Sequence, residues 1–240
     1  MEIALAAATS PRVPSGATVL VPVGSTEQHG PHLPLDTDTV IAVAVAEAAA
    51  KMLRRRRLSV VVAPAIAYGS SGEHQDFAGT VSIGTPALRA LLIELVRSVR
   101  TWAGRVVLVN GHGGNLSAVR QAVDLLVSEG HDVTWIPCAI DPASSPVQNH
   151  ADLHAGRTET SVMLHLKPWD VRLDRAEVGN TGGLEGLLPL MVEGGIKAVS
   201  ANGVLGDPRG ATADEGRELL GQMARRVTGD VLELEESGAR

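Results

Sequence analysis

Four short apolar runs constrain this chain more than any other feature. They are Thr18–Val23 (TVLVPV), 58–63 (LSVVVA), 105–109 (RVVLV) and 132–137 (DVTWIP). Each is brief, rich in β-branched residues and bounded by turn-forming residues, which is the signature of a buried strand. A helical stretch lies between successive runs: 37 to about 52, 85 to about 102, and 116 to about 128. Thr85-Pro86 is a start signal for the second helix, with Thr as N-cap and Pro at the first position. Strands joined by helical crossovers pair in parallel, and a parallel sheet is covered on both faces. The expected fold is therefore α/β, a three-layer α/β/α sandwich with a mostly parallel central sheet.

Further along, 156–166 reads as the start of another helix, 170–210 is Gly-rich and weakly patterned, and 212 to about 232 reads as a closing helix. The 141–151 stretch is a Pro/Ser-rich connection. There is neither an internal repeat nor a convincing linker, so 240 residues are expected to form one domain spanning 1–240. With one Phe, one Tyr and three Trp, the core must be built from Ala, Val, Leu and Ile.

The formal net charge of -6 argues against nucleic acid as a partner. The basic run Arg54 to Arg57 follows an Ala-rich helix and reads as a solvated helix end, with a phosphate patch as the alternative. Cys138 is the sole cysteine, so no internal disulfide forms, and a packed structural thiol is expected there. No signal-peptide pattern opens the chain, and no stretch reaches the roughly 18–20 apolar residues of a membrane span. A cytoplasmic address with no membrane partner is the expectation.

Active sites in open parallel sheets lie beyond the carboxyl ends of the strands. Two polar clusters fall at such ends: Gly24-Ser25-Thr26-Glu27-Gln28-His29 after the first run and Asn110-Gly111-His112-Gly113-Gly114-Asn115 after the third. Glu27 and His29 are two apart, so extended backbone would point both to one side. Asp36 and Asp38 follow at a helix start, where either could serve as a cap. A third cluster, Asp152 to Ser161, holds His154 and Glu159, and Glu159 within an apolar helical stretch needs a partner if buried. Six of the eight histidines (His29, His32, His74, His112, His150, His154) lie in or beside Gly-rich or polar segments, whereas His131 and His165 read as helix-end or surface residues. Mixed imidazole and carboxylate donors suit zinc, manganese or iron. The Gly-rich segments lack the Lys-Ser/Thr of a phosphate loop and the spacing of a dinucleotide fingerprint, and no serine sits in a nucleophile elbow.

Four ordered motifs, VPVGSTEQHGPHLPLDTD (21–38), YGSSGEHQDFAGT (68–80), VLVNGHGGN (107–115) and HAGRTETS (154–161), resemble the creatininase family over nearly the whole chain. The resemblance implies an α/β/α sandwich, a two-metal site opening beyond the sheet, and a homo-oligomer, often a hexamer. It implies that Glu27 and His112 serve one metal, His29 the other, and Asp38 bridges them. Gly114 stands where creatininase itself carries a Glu, which argues against creatinine as substrate and makes Glu159 the replacement ligand. His154 matches the family's proton-transferring residue. EHQDFAGTVSIG (73–84) and NGVLGDPRGATADEGRELL (202–220) resemble the members that release a modified Val-Tyr-derived C-terminus from a small precursor peptide. The implied cofactor is two divalent ions per subunit, zinc and/or iron, with manganese a third choice. Two other readings stand beside this one: an amidohydrolase of a formamide or cyclic amide, and a non-catalytic metal-binding protein. Asp152 is a candidate to orient His154, Asn110 and Asn115 to shape the Gly loop or contact substrate, Glu73 and His74 to line the pocket, and Arg157 to bind a carboxylate or form a surface pair.

Overall fold

The computed structural model of the chain describes residues 4–140 and 152–238. The 141–151 connection and His150 lie outside the described residues. Ten main elements follow one another: β1 (Thr18–Val23), α1 (Thr37–Arg55), β2 (Val60–Val62), α2 (Gly84–Val99), β3 (Arg105–Asn110), α3 (Leu116–Ser128), β4 (Val133–Pro137), α4 (Arg157–Leu166), α5 (Leu184–Val199) and α6 (Ala213–Gly238). Among the described residues the strands form one sheet in the order β2-β1-β3-β4. Every pairing is parallel, with Thr18 opposite Val60, Val19 opposite Val106 and Leu108 opposite Trp135.

Strand alternation sorts the core into two halves. Leu20, Val60, Val62, Val107 and Val109 pack against α1, α4 and α6 through Val45, Leu53, Met163, Met223 and Val227. Val19, Val21, Val23, Val61, Val106 and Leu108 face the other way, onto Leu88, Leu92 and Val96 of α2 and Val119, Ala122 and Leu126 of α3. The result is a three-layer α/β/α sandwich. Ala42, Ala46, Ala49 and Ala50 are fully buried on α1, and their small side chains let that helix lie close to the sheet without aromatic filler. Each buried Val or Leu contributes about 1.5–3 kcal/mol relative to exposure, so this aliphatic core suffices.

The expectations for Thr85 and Arg54 are corrected. Thr85 does not cap α2: the helix begins at Gly84, and the Thr85 hydroxyl instead hydrogen-bonds Ser70 Oγ at 2.9 Å, tying the helix to the 68–83 loop. The 170–210 region holds a helix, α5, that its sequence hides. Gly186, Pro189, Gly194 and Gly195 interrupt it, Gly195 breaks it at φ 67°, and Leu188, Leu190 and Val192 are exposed, so no clean apolar face shows in the pattern. Arg54 also does more than end α1 in solvent, since its guanidinium donates to the Val60 carbonyl at 2.9 and 2.7 Å. Cys138 is half-buried and packs against the core, and burial pushes its thiol up, as expected of a structural cysteine. No helix among the described residues is long and apolar enough to cross a membrane.

Candidate metal centre

The ends of β1 and β3 deliver the cluster. After Val23 the chain passes directly over the first turn of α1, and Gly24 is required there because a Cβ would overlap the Thr39 backbone. The following loop is held by Glu27 N–H donating to the Leu35 carbonyl at 3.1 Å. His112 follows β3, where Gly111 N–H donates to the Val23 carbonyl at 2.8 Å. Asn115 links three loops: its amide donates to Gly24 O at 3.0 Å and accepts from Ser70 N–H at 2.8 Å. Asn110 donates to His112 O at 2.7 Å. Both asparagines therefore shape the loops. Neither Asp36 nor Asp38 caps α1 by a side-chain hydrogen bond. Asp36 pairs with Lys167 at 3.1 Å, whereas Asp38 turns into the cluster from the first helical turn, where the helix dipole favours a carboxylate.

Glu159 sits in the first turn of α4, and its Oε2 accepts from Ala155 N–H at 2.6 Å. Asp152 does not orient His154. Its Oδ2 accepts from Thr158 N–H at 2.9 Å and so caps α4, holding the turn that presents His154 and Glu159. Arg157 forms a pair with Glu215 at 2.9 Å. His32 bonds Thr160 at 2.9 Å, a buried tie between the 30s loop and α4.

Five side chains converge. His29 Nε2 is 3.1 Å from Asp38 Oδ1 and 3.9 Å from Glu159 Oε2. His112 Nδ1 is 3.4 Å from Asp38 Oδ2, and its Nε2 is 3.1 Å from Glu27 Oε2. Donor atoms around one tetrahedral ion, at ~2.0–2.2 Å from it, lie roughly 3.3–3.6 Å from one another. Each imidazole would offer one nitrogen to an ion, and the donor atoms of each set lie close enough to share one. Glu27, Asp38 and His112 form one set whose ligand atoms all lie within 4.8 Å of one another; His29, Asp38 and Glu159 form a second, and Glu27, His29 and His154 a third. Asp38 belongs to the first two, with one oxygen toward each imidazole. Glu27 is fully buried, yet both of its carboxylate oxygens, and Asp38 Oδ2, lack a hydrogen-bond partner. Buried charge without a partner is strongly unfavourable. A divalent cation would satisfy Glu27 Oε2 and Asp38 Oδ2, so the donor set fits a metal. A depression of about 430 Å3 between α1 and α6, lined by Met52, Arg55, Arg225 and Leu232, shares no residue with this cluster.

Comparison with known proteins agrees with this geometry. The creatininase model, described as creatinine amidohydrolase, matches residues 6–230. The chain belongs to the creatininase family. It is 54% identical over 225 residues to the mycofactocin precursor peptide peptidase of Mycobacterium tuberculosis, covering 91% of this chain and 86% of that protein. A mutant creatininase superposes with a TM-score of 0.78 at 26% identity, covering 97% of this chain and 98% of the other. Another, described as of Zn-Zn type, gives 0.71 at 26% identity and 90% coverage of each chain. This creatininase-family chain is accordingly a metal-dependent hydrolase that works with a divalent metal.

Around the cluster of this creatininase-family enzyme stand residues whose contacts the sequence alone did not reveal. A short 3-10 turn at Gly72–His74 brings His74 Nε2 to 3.3 Å from Glu27 Oε1 and Glu73 Oε1 to 3.3 Å from His112 Nε2. The turn is held by the short Ser25–Ser71 hydroxyl contact and by Ser71 N–H on Ser82 Oγ at 2.9 Å. Gly114 makes this approach possible. A Cβ there would overlap the Ser70 carbonyl, the Glu73 carboxylate and His112 Nε2. Gly114→Ala is therefore expected to push the 68–75 segment outward, destabilise the fold by about 1–3 kcal/mol and weaken metal retention. Thermal melting with metal analysis after dialysis checks this, and an unchanged melting point would contradict the packing.

The metal-free electrostatics give a pH signature. Burial opposes charge on His29, but Asp38, then Glu159 and Glu27, outweigh it and lift its pKa from 6.5 to about 10. His112 likewise rises to about 9, burial being outweighed by Glu27, Glu73 and Asp38. Burial and the Asp38 charge lift the Glu27 and Glu159 carboxyls from 4.5 to about 7. Burial instead depresses His74 to about 3 and His154 well below 6.5. The sign follows from proton counting. The lowered histidines affect stability only below pH 6.5. The raised imidazoles contribute stability that is complete below 6.5 and is lost as pH climbs through 9 and 10, while the raised carboxyls lose theirs between 4.5 and 7. The metal-free enzyme should thus lose stability from pH 6.5 to 9, and the increase in melting temperature on adding zinc should grow over the same window, because metal replaces those protons. Scanning fluorimetry with and without metal checks this; a metal-free melting point that climbs with pH would oppose it.

Proposed function

We propose that this enzyme is a peptidase that hydrolyses the amide bond releasing the modified C-terminal Val-Tyr-derived unit of the mycofactocin precursor peptide. The observation that carries the reading is the 54% identity to the mycofactocin precursor peptide peptidase across 91% of the chain. It is supported by a convergent Glu27, His29, Asp38, His112 and Glu159 donor set.

Charge favours two ions over one. Three carboxylates with neutral imidazoles carry three negative charges; one divalent cation leaves the centre at −1, and two bring it to +1, which suits an electrophilic site. We assign Glu27, His112 and Asp38 to one ion and His29, Glu159 and Asp38 to the other. Zinc and iron are the ions we propose, and manganese is also compatible with this mixed donor set. Divalent ions held by these residues would supply Lewis acidity toward a water and the scissile carbonyl. The chain supplies the proton path. His154 Nε2 is held by the Gln28 carbonyl at 2.8 Å, leaving Nδ1 facing the cluster. It takes a proton at Nδ1 as water adds to the carbonyl carbon, and returns it to the leaving nitrogen as the C–N bond breaks.

Gly114, with no room for a carboxylate, supports a peptide over creatinine as substrate. The partly exposed Tyr68 and Val81 at the two ends of the 68–83 loop offer apolar surface to a peptide chain. The exposed Leu184, Leu188, Leu190 and Val192 of α5 support assembly of several copies, a hexamer being the form the family resemblance implies. Mass spectrometry of the metal-loaded enzyme with the decarboxylated precursor peptide tests the function. Release of the Val-Tyr-derived fragment, absent with chelator and absent with unmodified peptide, is expected. An intact precursor at full metal occupancy would reject the peptidase and turn attention to formamides and cyclic amides.

A further inference from the structure

Gln28 is buried between Glu27 and His29, and its carboxamide touches two imidazoles that face the metal cluster. Backbone groups of single polarity fix which way that amide points. Gly30 N–H, which can only donate, lies 2.9 Å from Oε1. Gly203 O, which can only accept, lies 3.1 Å from Nε2. Gly203 is at φ +80°, and a Cβ there would overlap the Gln28 side chain, so the close approach of this carbonyl needs glycine. The second Nε2 hydrogen points at His74 Nδ1, 2.8 Å away. An amide NH2 has no lone pair to offer, so His74 Nδ1 must accept. The His74 proton then sits on Nε2, 3.3 Å from Glu27 Oε1.

The same residue controls His154 through its main chain. Gln28 O accepts only, and lies 2.8 Å from His154 Nε2, so that nitrogen carries the proton. The 3.1 Å approach of Gln28 Nε2 to His154 Nε2 is then a contact between two donors whose hydrogens are used elsewhere. His154 Nδ1 is left as a bare lone pair, 3.8 Å from Glu27 Oε1.

We propose that Gln28 is a positioning residue that sets the tautomers of both histidines. Its side chain turns a donor from His74 onto Glu27, which orients that carboxylate with its other oxygen toward His112. Its carbonyl turns a lone pair of His154 toward the cluster. The role of that lone pair in moving a proton rests on the proposed hydrolysis; the tautomers themselves do not.

The test is magic-angle-spinning NMR of sedimented, metal-free enzyme labelled with 15N-histidine, with His74→Phe and His154→Asn as difference spectra for assignment. Both imidazoles are expected as the Nε2–H tautomer in the wild type. In Gln28→Met, which removes the donor but keeps the length, His74 should lose its single-tautomer signal while His154 keeps it. The variant's zinc dissociation constant should rise about 10-fold, the scale on which groups that orient metal ligands act. Wild-type His154 protonated on Nδ1, or His74 unchanged in Gln28→Met, would overturn the proposal. The wild-type spectrum decides even if the variant fails to fold, and because neither peptide nor turnover is involved, failure of the peptidase reading shows separately.

Discussion

Glu27→Gln should make the metal-free protein more stable and the enzyme inactive. Glu27 is fully buried, and burial followed by the charge of Asp38 lifts its pKa to about 7, so above neutrality the wild-type fold carries an unfavourable carboxylate. A neutral amide of the same shape removes that burden, and its oxygen can accept the Nε2 hydrogen of His74. At pH 8 the metal-free melting temperature should rise by several degrees. Turnover should fall about 1,000-fold or more, since a displaced ion removes both activation of water and stabilisation of the oxyanion. Opposite signs for stability and activity are the mark of a residue kept for its ligand and not for the fold. A Gln variant that is both less stable and fully active would contradict the role of Glu27.

His154→Asn should separate proton transfer from metal binding. His154 falls in the third possible ligand set, with Glu27 and His29, so a purely geometric reading leaves it a ligand. Its Nε2 is committed to Gln28 O at 2.8 Å, and we assign the free Nδ1 to proton transfer. The expected outcome is a fall in kcat of about 10^2–10^4 with KM and metal content near wild type. Loss of an ion along with activity would instead place His154 among the ligands.

Much of the centre was legible because strand periodicity located it. Glu27, His29 and His112 stand just past apolar runs that could only be buried strands, where a parallel sheet places its site. Glu159 was named as a ligand through the family resemblance, and the structure places it 3.9 Å from His29 Nε2. Asp38 was told from Asp36 only by the family resemblance, and the structure adds that Lys167 pairs with Asp36. What stayed hidden depends on contacts distant in sequence. His74 lies in a loop without periodicity, and contacts distant in sequence, such as Ser25–Ser71 and Ser70–Asn115, carry it to Glu27. Gln28 carries no signal of its role in the sequence, because its partner Gly203 is 175 residues away. Asp152 lies two residues from His154, yet its partner is the backbone of Thr158, so adjacency suggested the wrong recipient. The helix α5 is hidden for a different reason: its exposed leucines and internal glycines break the pattern that a surface helix normally shows.

Metal stoichiometry tests the shared Asp38 centre most directly. Elemental analysis of enzyme reconstituted with zinc, then dialysed, should give two ions per chain, falling to one in Glu159→Gln, which removes a donor from the His29–Asp38 set and leaves the Glu27–Asp38–His112 set intact. One ion or none in the wild type, or two retained in Glu159→Gln, would contradict a pair of ions bridged by Asp38.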